Sequence, residues 1–576
     1  MIKRLYPFIK PYQKTFILAC LAIIGETAFE LVIPVLMADI IDIGVVNQDH
    51  GYILLKGIEM AICALIALAL GIVYARLTAT AGQGFGANLR RAEFVKVQNF
   101  SFKNTDHFST SSLITRLTND VTIVQNALCN GLRPLVRSPI MLLMALFFTF
   151  SINAKLALIF IVVTPILGIG LLIIVKKVGP LYRLMQSSID SLNTIVQENL
   201  NAIRVVKAYV REDYEEKKFE KINENLKENS EQAFKTSVWN TPLFQYSMYT
   251  TIVCIIFFGG QMILAKQMQI GELTGFLSYV LQILNSLMML SAVFLMITRS
   301  LASCQRIFEV LDEKIDINDP KTPLTKVVKG DIEFKDVYFK YSDDAKEYAL
   351  SNINLTIPSG STIGILGGTG SAKTTLVQLI PRLYDVSAGS IMIDGHDVRE
   401  YSVEHLRDSI AMVLQKNTLF SGTIKENLLW GNELATNEEI AWASKIACVD
   451  EFIGNFKDGY ETNLGQGGIN VSGGQKQRLC IARALLKHPK VLIFDDSTSA
   501  VDTATEAMIR EGLASLQDTT KIIIAQRVSS ILHADLIVIM EDGKIHAAGS
   551  HQQLLSSDEI YQEIYYTQLK GANPNG

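Results

Sequence analysis

Residues 367–374 read GGTGSAKT, between an apolar stretch at 362–366 and a helix expected from about residue 375. That is the pattern of a loop that wraps phosphates. Glycines let backbone N–H groups point at an anion, and a helix N-terminus behind them favours negative charge. Gly367, Gly368, Thr369, Gly370, Ser371 and Ala372 form the loop. Lys373 is placed to pair with β- and γ-phosphates, Thr374 to ligate Mg2+, and Thr375 to open the helix. One position departs from the pattern. Ala372 stands where a glycine is usual. Its methyl group is tolerated if φ is negative and if it clears the phosphate. No donor is lost.

The run Val491–Asp495, VLIFD, has the apolar continuity of a buried strand and ends in a carboxylate. Asp495 is expected to hold Mg2+, partly through water. The next residue occupies the place of the base that orients an attacking water. It is Asp496, one methylene shorter than a glutamate, so its oxygen is drawn back by more than about 1 Å. A general base must lie within hydrogen-bond reach, and losing it costs roughly 10²–10⁴-fold in rate. In Ala525–Gln526–Arg527, Gln526 sits where a histidine would. Its amide can bond a γ-phosphate but cannot become a cation. The chain is therefore expected to bind ATP and to hydrolyse it poorly on its own motifs.

A second anion site is read in VSGGQ, Val471–Gln475, where Ser472, Gly473, Gly474 and Gln475 open a helix continued by Lys476–Arg478. In order, the chain carries Tyr341, the phosphate loop, Gln415 in VLQKNTLFSGTIKENL, VSGGQ, LIFDD and SAVD at Ser499–Asp502. This series resembles the ATP-binding cassette (ABC) family over essentially the whole chain. The resemblance implies that Tyr341 lies under adenine and that Gln415 joins the catalytic and Mg2+ set. It also implies head-to-tail pairing of two nucleotide domains, so that Ser472, Gly473 and Gly474 cap an ATP held mainly by a partner chain. An intact signature beside altered positions 496 and 526 resembles the degenerate-site half of heterodimeric bacterial ABC exporters. The implied partner is a second half-transporter with Glu and His at those positions.

These residues need a scaffold, and the chain is two different polymers in sequence. Hydrophobic residues make up 49% of 576, and the excess lies before about residue 300. Six apolar stretches are long enough to cross a bilayer as helices, at 15–41, 52–77, 132–152, 156–175, 243–265 and 273–297. Lys and Arg are sparse after spans one, three and five and dense after spans two and four. That bias predicts that the latter segments and both termini are cytoplasmic, and the resemblance implies a bacterial cell membrane. The N-terminal MIKRLYPFIKPYQK reads as an interfacial helix rather than a cleaved leader. Segments 78–130 and 177–241 are too long for loops and are expected as pairs of long helices. Their turns, near 107–112 and 210–215, should touch whatever lies beneath. A polar linker at 316–329 divides a membrane domain, 1–315, from a nucleotide domain, 330–576. A net charge of −4 gives no case for nucleic acid, and seven scattered cysteines read as reduced thiols.

The expected fold is an α-helical membrane domain of ABC exporter type, with six transmembrane helices and long cytoplasmic extensions. It is fused to an α/β P-loop nucleotide-binding domain with a helical subdomain. Glu26 and Glu30, four apart in the first span, share one face. They either attract cationic cargo or play a structural part near the outer leaflet. Phe244, Tyr246, Tyr249, Tyr279, Met288, Met289, Phe294 and Met296 suit either an adaptable cavity or plain packing. The expected function is ATP-driven export of amphiphilic small molecules, with multidrug efflux implied by the resemblance. A lipid or peptide exporter, a slow homodimeric ATPase and an ATP-gated regulator or channel subunit are the alternatives.

Overall fold

The computed structural model describes residues 2–496 and 502–572. The side chains of residues 2, 164, 291, 292, 294, 295, 298, 299 and 569–572 are not described. The described chain divides into two compact units. One is Met1–Gln98 with Thr110–Glu313; the other is Asn99–Ser109 with Lys314–Gly576.

In the first unit six long helices carry the apolar runs: α1 Gln13–Asp39, α2 His50–Gln98, α3 Val121–Ile152, α4 Ala154–Asn201, α5 Asn240–Leu264 and α6 Ile270–Asp312. Among the described residues, six helical stretches have the length and composition to cross a membrane. Helix α2 has 49 residues and α4 has 48. At 1.5 Å per residue each is over about 70 Å long, more than twice the hydrocarbon thickness. The surplus forms extensions, as the long polar segments require. The descending limb of α2 stops at Gln98, earlier than the expected turn at 107–112. Ser101 ends it there by opening a separate short helix, Phe102–His107, in a capping box with Asn104. The second turn falls at 209–211, between helices Ile203–Ala208 and Glu212–Ser237, where Val210 takes φ +50°.

Small residues set the helix spacing. Gly82 and Gly86 lie one turn apart on α2 and face α3. A Cβ on Gly82 would meet Cys129 Sγ at 1.8 Å, and one on Gly86 would meet Gln125 Oε1 at 2.0 Å. Polar ties fix the ends. Asp42, in the π-helical turn Ile40–Val45 that continues α1, accepts the Gly271 and Glu272 N–H groups at 2.5 and 2.9 Å and so caps α6. At the other end Arg306 Nε donates to the buried Asp120 at 2.8 Å, and Arg116 pairs with Glu309 at 3.0 Å. The N-terminal helix Ile2–Ile9 leans on α6: Arg4 lies 4.1 Å over the Phe308 ring and pairs with Asp312.

Mid-span, Glu26 pairs with Arg133 and Glu30 with Arg137, so neither acid is free. Of the aromatic and thioether residues, Tyr279 is buried packing, its hydroxyl donating to Leu31 O at 2.6 Å. Tyr246 and Tyr249 are exposed. The side chain of Phe294 lies outside the described residues.

The second unit is built on two main sheets, with a small two-stranded one pairing Gly422–Thr423 with Asn463–Leu464. Strands β1 Ile332–Phe339, β2 Leu350–Ile357 and β4 Ala388–Ile393 pair antiparallel in the order β2–β1–β4, with the short strand His396–Asp397 on the β4 edge. The other sheet contains β3 Thr362–Gly367, β5 Ile410–Val413, β6 Val491–Asp495, β7 Thr520–Ile524, β8 Leu536–Glu541 and β9 Lys544–Gly549. Its order is β9–β8–β3–β7–β6–β5, and all neighbours are parallel except β8 with β9. Strands β6 and β7 are buried along their whole length, as expected for parallel strands covered on both faces. Helices Asn437–Ile446, Asp450–Ile453 and Gly473–Leu485 join the core on one side and form the helical subdomain.

The spacing of α2 against α3 is testable. Gly86→Ala should lower the thermal midpoint of the purified protein by several degrees, because overpacking a close helix contact costs about 1–3 kcal/mol. Gly168→Ala, whose Cβ would meet nothing within 4 Å, should be neutral or slightly stabilising through helix propensity. Equal midpoints for the two variants would refute the packing role.

Candidate functional site

Parallel strands enter a sheet from one side, so their carboxyl ends share one edge, and ligands bind outside that edge. Strand β3 ends there in Gly367, β6 in Asp495 followed by Asp496, and β7 in Ile524 followed by Ala525 and Gln526. Strand β5 leads through Leu414 to Gln415, which is exposed. Residues spread over 160 positions are thus delivered to one rim by backbone pairing alone.

At the rim, β3 turns into helix α7, Lys373–Gln378. Gly367 and Gly370 take positive φ, and a Cβ on Gly367 would meet Met540 O at 2.3 Å. Ala372 also takes positive φ, +67° with ψ +25°. The condition for tolerating its methyl group, a negative φ, is therefore not met. An L-residue in this left-handed conformation costs about 1–2 kcal/mol, which the surrounding fold must hold. The methyl packs at the margin of the sheet core, which offsets part of that cost.

Lys373 Nζ donates to Gly367 O at 2.8 Å and to Gly368 O at 2.7 Å, with Ser371 Oγ at 3.3 Å. Ser371 Oγ itself donates to Gly368 O at 2.9 Å. The lysine thus braces the loop that it would leave for phosphate oxygens. Burial holds its ammonium below the ordinary lysine range, against the opposing pull of the Asp496 and Asp495 carboxylates. Thr374 Oγ1 donates to Asp495 Oδ1 at 2.7 Å. Burial pushes the Asp495 carboxyl up; the Thr374 hydroxyl opposes the shift and the neighbouring Asp496 adds to it. A hydroxyl and a carboxylate this close form a hard-oxygen pair that fits Mg2+ beside phosphate oxygens. A cation there also relieves the cost of a buried carboxylate.

The two off-pattern residues meet. Gln526 Nε2 donates to Asp496 Oδ2 at 2.5 Å, and Asp496 takes φ +48°. Gln568, in the helix Glu559–Ala572, pins the same segment: its amide donates to Gln526 O at 2.9 Å and accepts the Val528 N–H at 2.8 Å. Nothing in the sequence marks Gln568 for this task. Tyr341 presents a half-exposed ring, and its hydroxyl lies 2.8 Å from Thr375 Oγ1. Phe339 and Tyr384 pack edge-on against it, at 4.9 and 5.4 Å between ring centroids.

Tyr384 also binds the short segment from the chain's first third. Its hydroxyl donates to Asp106 Oδ2 at 2.6 Å, and Phe102 packs edge-on to its ring. Burial, with the Asp106 carboxylate, pushes the Tyr384 phenol up. Asn104 Nδ2 adds a bond to Lys314 O at 2.9 Å, and Lys103 pairs with Asp343 at 3.2 Å. Residues 99–109 therefore touch the aromatic cluster that holds Tyr341. Asp106 lies next to the turn expected to dock, but Tyr384 carries no sequence signal.

The signature stands apart. Helix α8, Gly473–Leu485, begins with a closed capping box: Ser472 N donates to Gln475 Oε1 at 2.9 Å, and Gln475 N to Ser472 Oγ at 3.3 Å. A Cβ on Gly473 would meet nothing within 4 Å. Among the described residues no hydrogen bond joins Ser472, Gly473, Gly474 or Gln475 to the phosphate loop. Of Ser499–Asp502, residues 499–501 lie outside the described residues; Asp502 caps the helix Thr503–Ala514 through Thr505 N at 3.0 Å.

Known proteins match both units. Residues 16–287 fit the ABC transporter transmembrane region, and residues 350–499 fit the ABC transporter family. The ABC transporter ATP-binding protein YfiB of Bacillus subtilis (strain 168) is 40% identical, over 98% of each chain. The ATP-dependent lipid A-core flippase of Desulfotalea psychrophila is 34% identical, over 99% of each. A bacterial Atm1-family ABC exporter, solved with ATP bound, shares the fold with TM-score 0.81 and 24% identity, covering 96% of this chain and 98% of its own. With a membrane region and a nucleotide-binding domain matched along nearly its whole length, this chain belongs to the ABC transporters, as an exporter-type half-transporter.

Proposed function

We propose that this ATP-driven exporter chain is the ATP-retaining half of a heterodimer that expels amphiphilic small molecules, in the manner of multidrug efflux. The observation that carries the reading is the bond from Gln526 to Asp496. At the two positions where a base and a cationic switch are expected, a short carboxylate and an amide satisfy each other. A carboxylate engaged by an amide, one methylene back, is a poor acceptor for a water proton. An amide in place of an imidazole offers the γ-phosphate a neutral donor and no positive charge.

Binding keeps its full equipment. Tyr341 would stack on adenine. Residues Gly367 to Ala372 would turn N–H groups toward the phosphates, and Thr375 would stay tied to Tyr341. Lys373 would exchange loop carbonyls for phosphate oxygens. Thr374, Asp495 and Gln415 would hold Mg2+, which neutralises phosphate charge when bound. Ser472, Gly473, Gly474 and Gln475 would serve the ATP of a partner half-transporter carrying Glu and His. In functional terms we divide the chain into a membrane domain, 1–315, a linker, 316–329, and a nucleotide domain, 330–576. We place it in a bacterial cell membrane, with both termini and the nucleotide domain in the cytoplasm, from the Lys and Arg bias of segments 78–130 and 177–241. Lipid export is the second reading, favoured by the 34% identity to a lipid A-core flippase.

The reading is tested first by subunit dependence. The purified chain alone should show less than about a tenth of the ATPase rate of the chain co-purified with a Glu/His half-transporter, since a missing base costs at least that much. Full activity alone would establish a homodimer. In the complex, Asp496→Glu with Gln526→His should raise total ATPase by opening a second working site. An unchanged rate would show that something other than the missing base blocks it.

Loss of the signature should outweigh loss of the loop lysine. Ser472→Ala is expected to cut turnover about 10²-fold by removing a γ-phosphate donor from the partner's site. Lys373→Ala should mainly weaken nucleotide binding on this chain, read by photolabelling with azido-ATP. The reverse ranking would exchange the two site assignments.

The Asp106–Tyr384 bond should carry coupling rather than chemistry. Tyr384→Phe and Asp106→Asn should each leave basal ATPase within about twofold while dye efflux falls about tenfold, on the scale of one part-buried hydrogen bond to a charged group. Efflux at the wild-type rate in both variants would remove this contact from the transport pathway.

A further inference from the structure

The membrane unit contains a cavity of about 740 Å³ between α1, α3 and α6. Its walls include the Glu30–Arg137 pair, Ser138, Gln282 and the thioethers of Met288 and Met289. Ser138 is only 2% exposed, and its hydroxyl has no hydrogen-bond partner among the described residues. The Gln282 Oε1 acceptor is likewise buried and unpaired. Polar groups left unpaired inside an apolar bundle are costly unless a ligand or water satisfies them.

The charges in this wall cancel. Arg137 Nη2 lies 2.5 Å from Glu30 Oε2, and its Nη1 lies 3.5 Å from Glu26 Oε1. Arg133 closes the group on Glu26. Two acids and two guanidinium groups sum to zero. Ionisable residues at membrane depth usually face a cavity and serve the passage of a ligand. An incoming cation would have to displace a guanidinium from Glu30, and an anion would have to displace a carboxylate from Arg137. An uncharged ligand meets neither barrier. Flexible methionine side chains accept apolar bodies of varied shape.

We propose that this cavity is a cargo site for uncharged amphiphiles carrying a hydrogen-bond donor, and that the Glu30–Arg137 pair excludes ions of either sign. Gln282 Oε1 takes the donor, and the Ser138 hydroxyl donates or accepts beside it. The inference rests on the reading of the chain as an exporter of amphiphiles, and names its cargo class.

Three probes of one alkyl length separate the outcomes: decyl maltoside, decyltrimethylammonium and decyl sulfate. Binding to the full-length chain in nanodiscs is measured by equilibrium dialysis, with empty nanodiscs subtracted. Decyl maltoside should bind at least about tenfold tighter than either ion, and Ser138→Ala with Gln282→Leu should abolish that margin. Arg137→Gln should tighten decyltrimethylammonium about tenfold, and Glu30→Gln should do the same for decyl sulfate. Because the two charge variants move selectivity in opposite directions, misfolding cannot imitate the pair of results. Equal binding of the three probes, no binding, or an unchanged order in both charge variants overturns the proposal. ATP-driven uptake into everted vesicles holding the complex tests the export reading separately. Ordered binding without uptake of any probe would sink the export reading and leave the site. Uptake without headgroup order would sink the site and leave the export reading.

Discussion

The nucleotide site depends on parallel strand pairing. Strands β3, β7, β6 and β5 are neighbours, run in one direction and bury their side chains on both faces. Their carboxyl ends must therefore emerge at one edge, where backbone pairing ends and polar side chains reach solvent. The loop from Gly367 to Thr374 starts at such an end, and Asp495, Asp496 and Gln526 lie at one or within two residues of it. The 2.7 Å bond between Thr374 and Asp495 is the first consequence, and the 2.5 Å bond between Gln526 and Asp496 the second. Shifting β6 by one residue against β7 would turn Asp495 away from Thr374 and break both.

Two backbone positions at the same edge are strained. Ala372 and Asp496 both occupy the left-handed region without being glycine. Such conformations persist where the surrounding structure over-determines them, here through packing of the loop on the core and through the Gln526 amide. The Asp496–Gln526 bond also ties together the two residues whose types the sequence singles out at these strand ends. One substitution alone would leave an acceptor or a donor looking for a partner. Together they make a closed polar pair.

The membrane unit solves a different problem with similar means. Glu26, Glu30, Arg133 and Arg137 lie inside apolar helices, and each of these acids is matched by a guanidinium. Their ion pairs remove the net charge that hydrocarbon penalises, while leaving polar atoms of Ser138 and Gln282 unmatched. On the neighbouring seam, α2 approaches α3 closely because Gly82 and Gly86 offer no side chain there. Polar ties at the two ends, Asp42 on α6 and Asp120 on Arg306, then hold the long helices in register.

Much of this was legible before any coordinates. Six apolar runs of bilayer length admit little besides helices, because hydrocarbon leaves no partner for an open backbone. The loop GGTGSAKT and the strand VLIFD specify their chemistry locally, through glycine freedom and apolar continuity. The positions of Asp496 and Gln526 followed from motif order. What the sequence did not decide were relations between residues far apart in the chain. Ala372 could be tolerated only on a condition about φ, and φ is set by how the loop must turn from β3 into α7. Glu26 and Glu30 left two readings open, since Arg133 and Arg137 lie over a hundred positions away, on another helix. Tyr384, Asp106 and Gln568 follow no local pattern at all. Periodicity and motif chemistry act over a few residues. Pairing across hundreds of residues is decided by packing, and packing exists only in the folded chain.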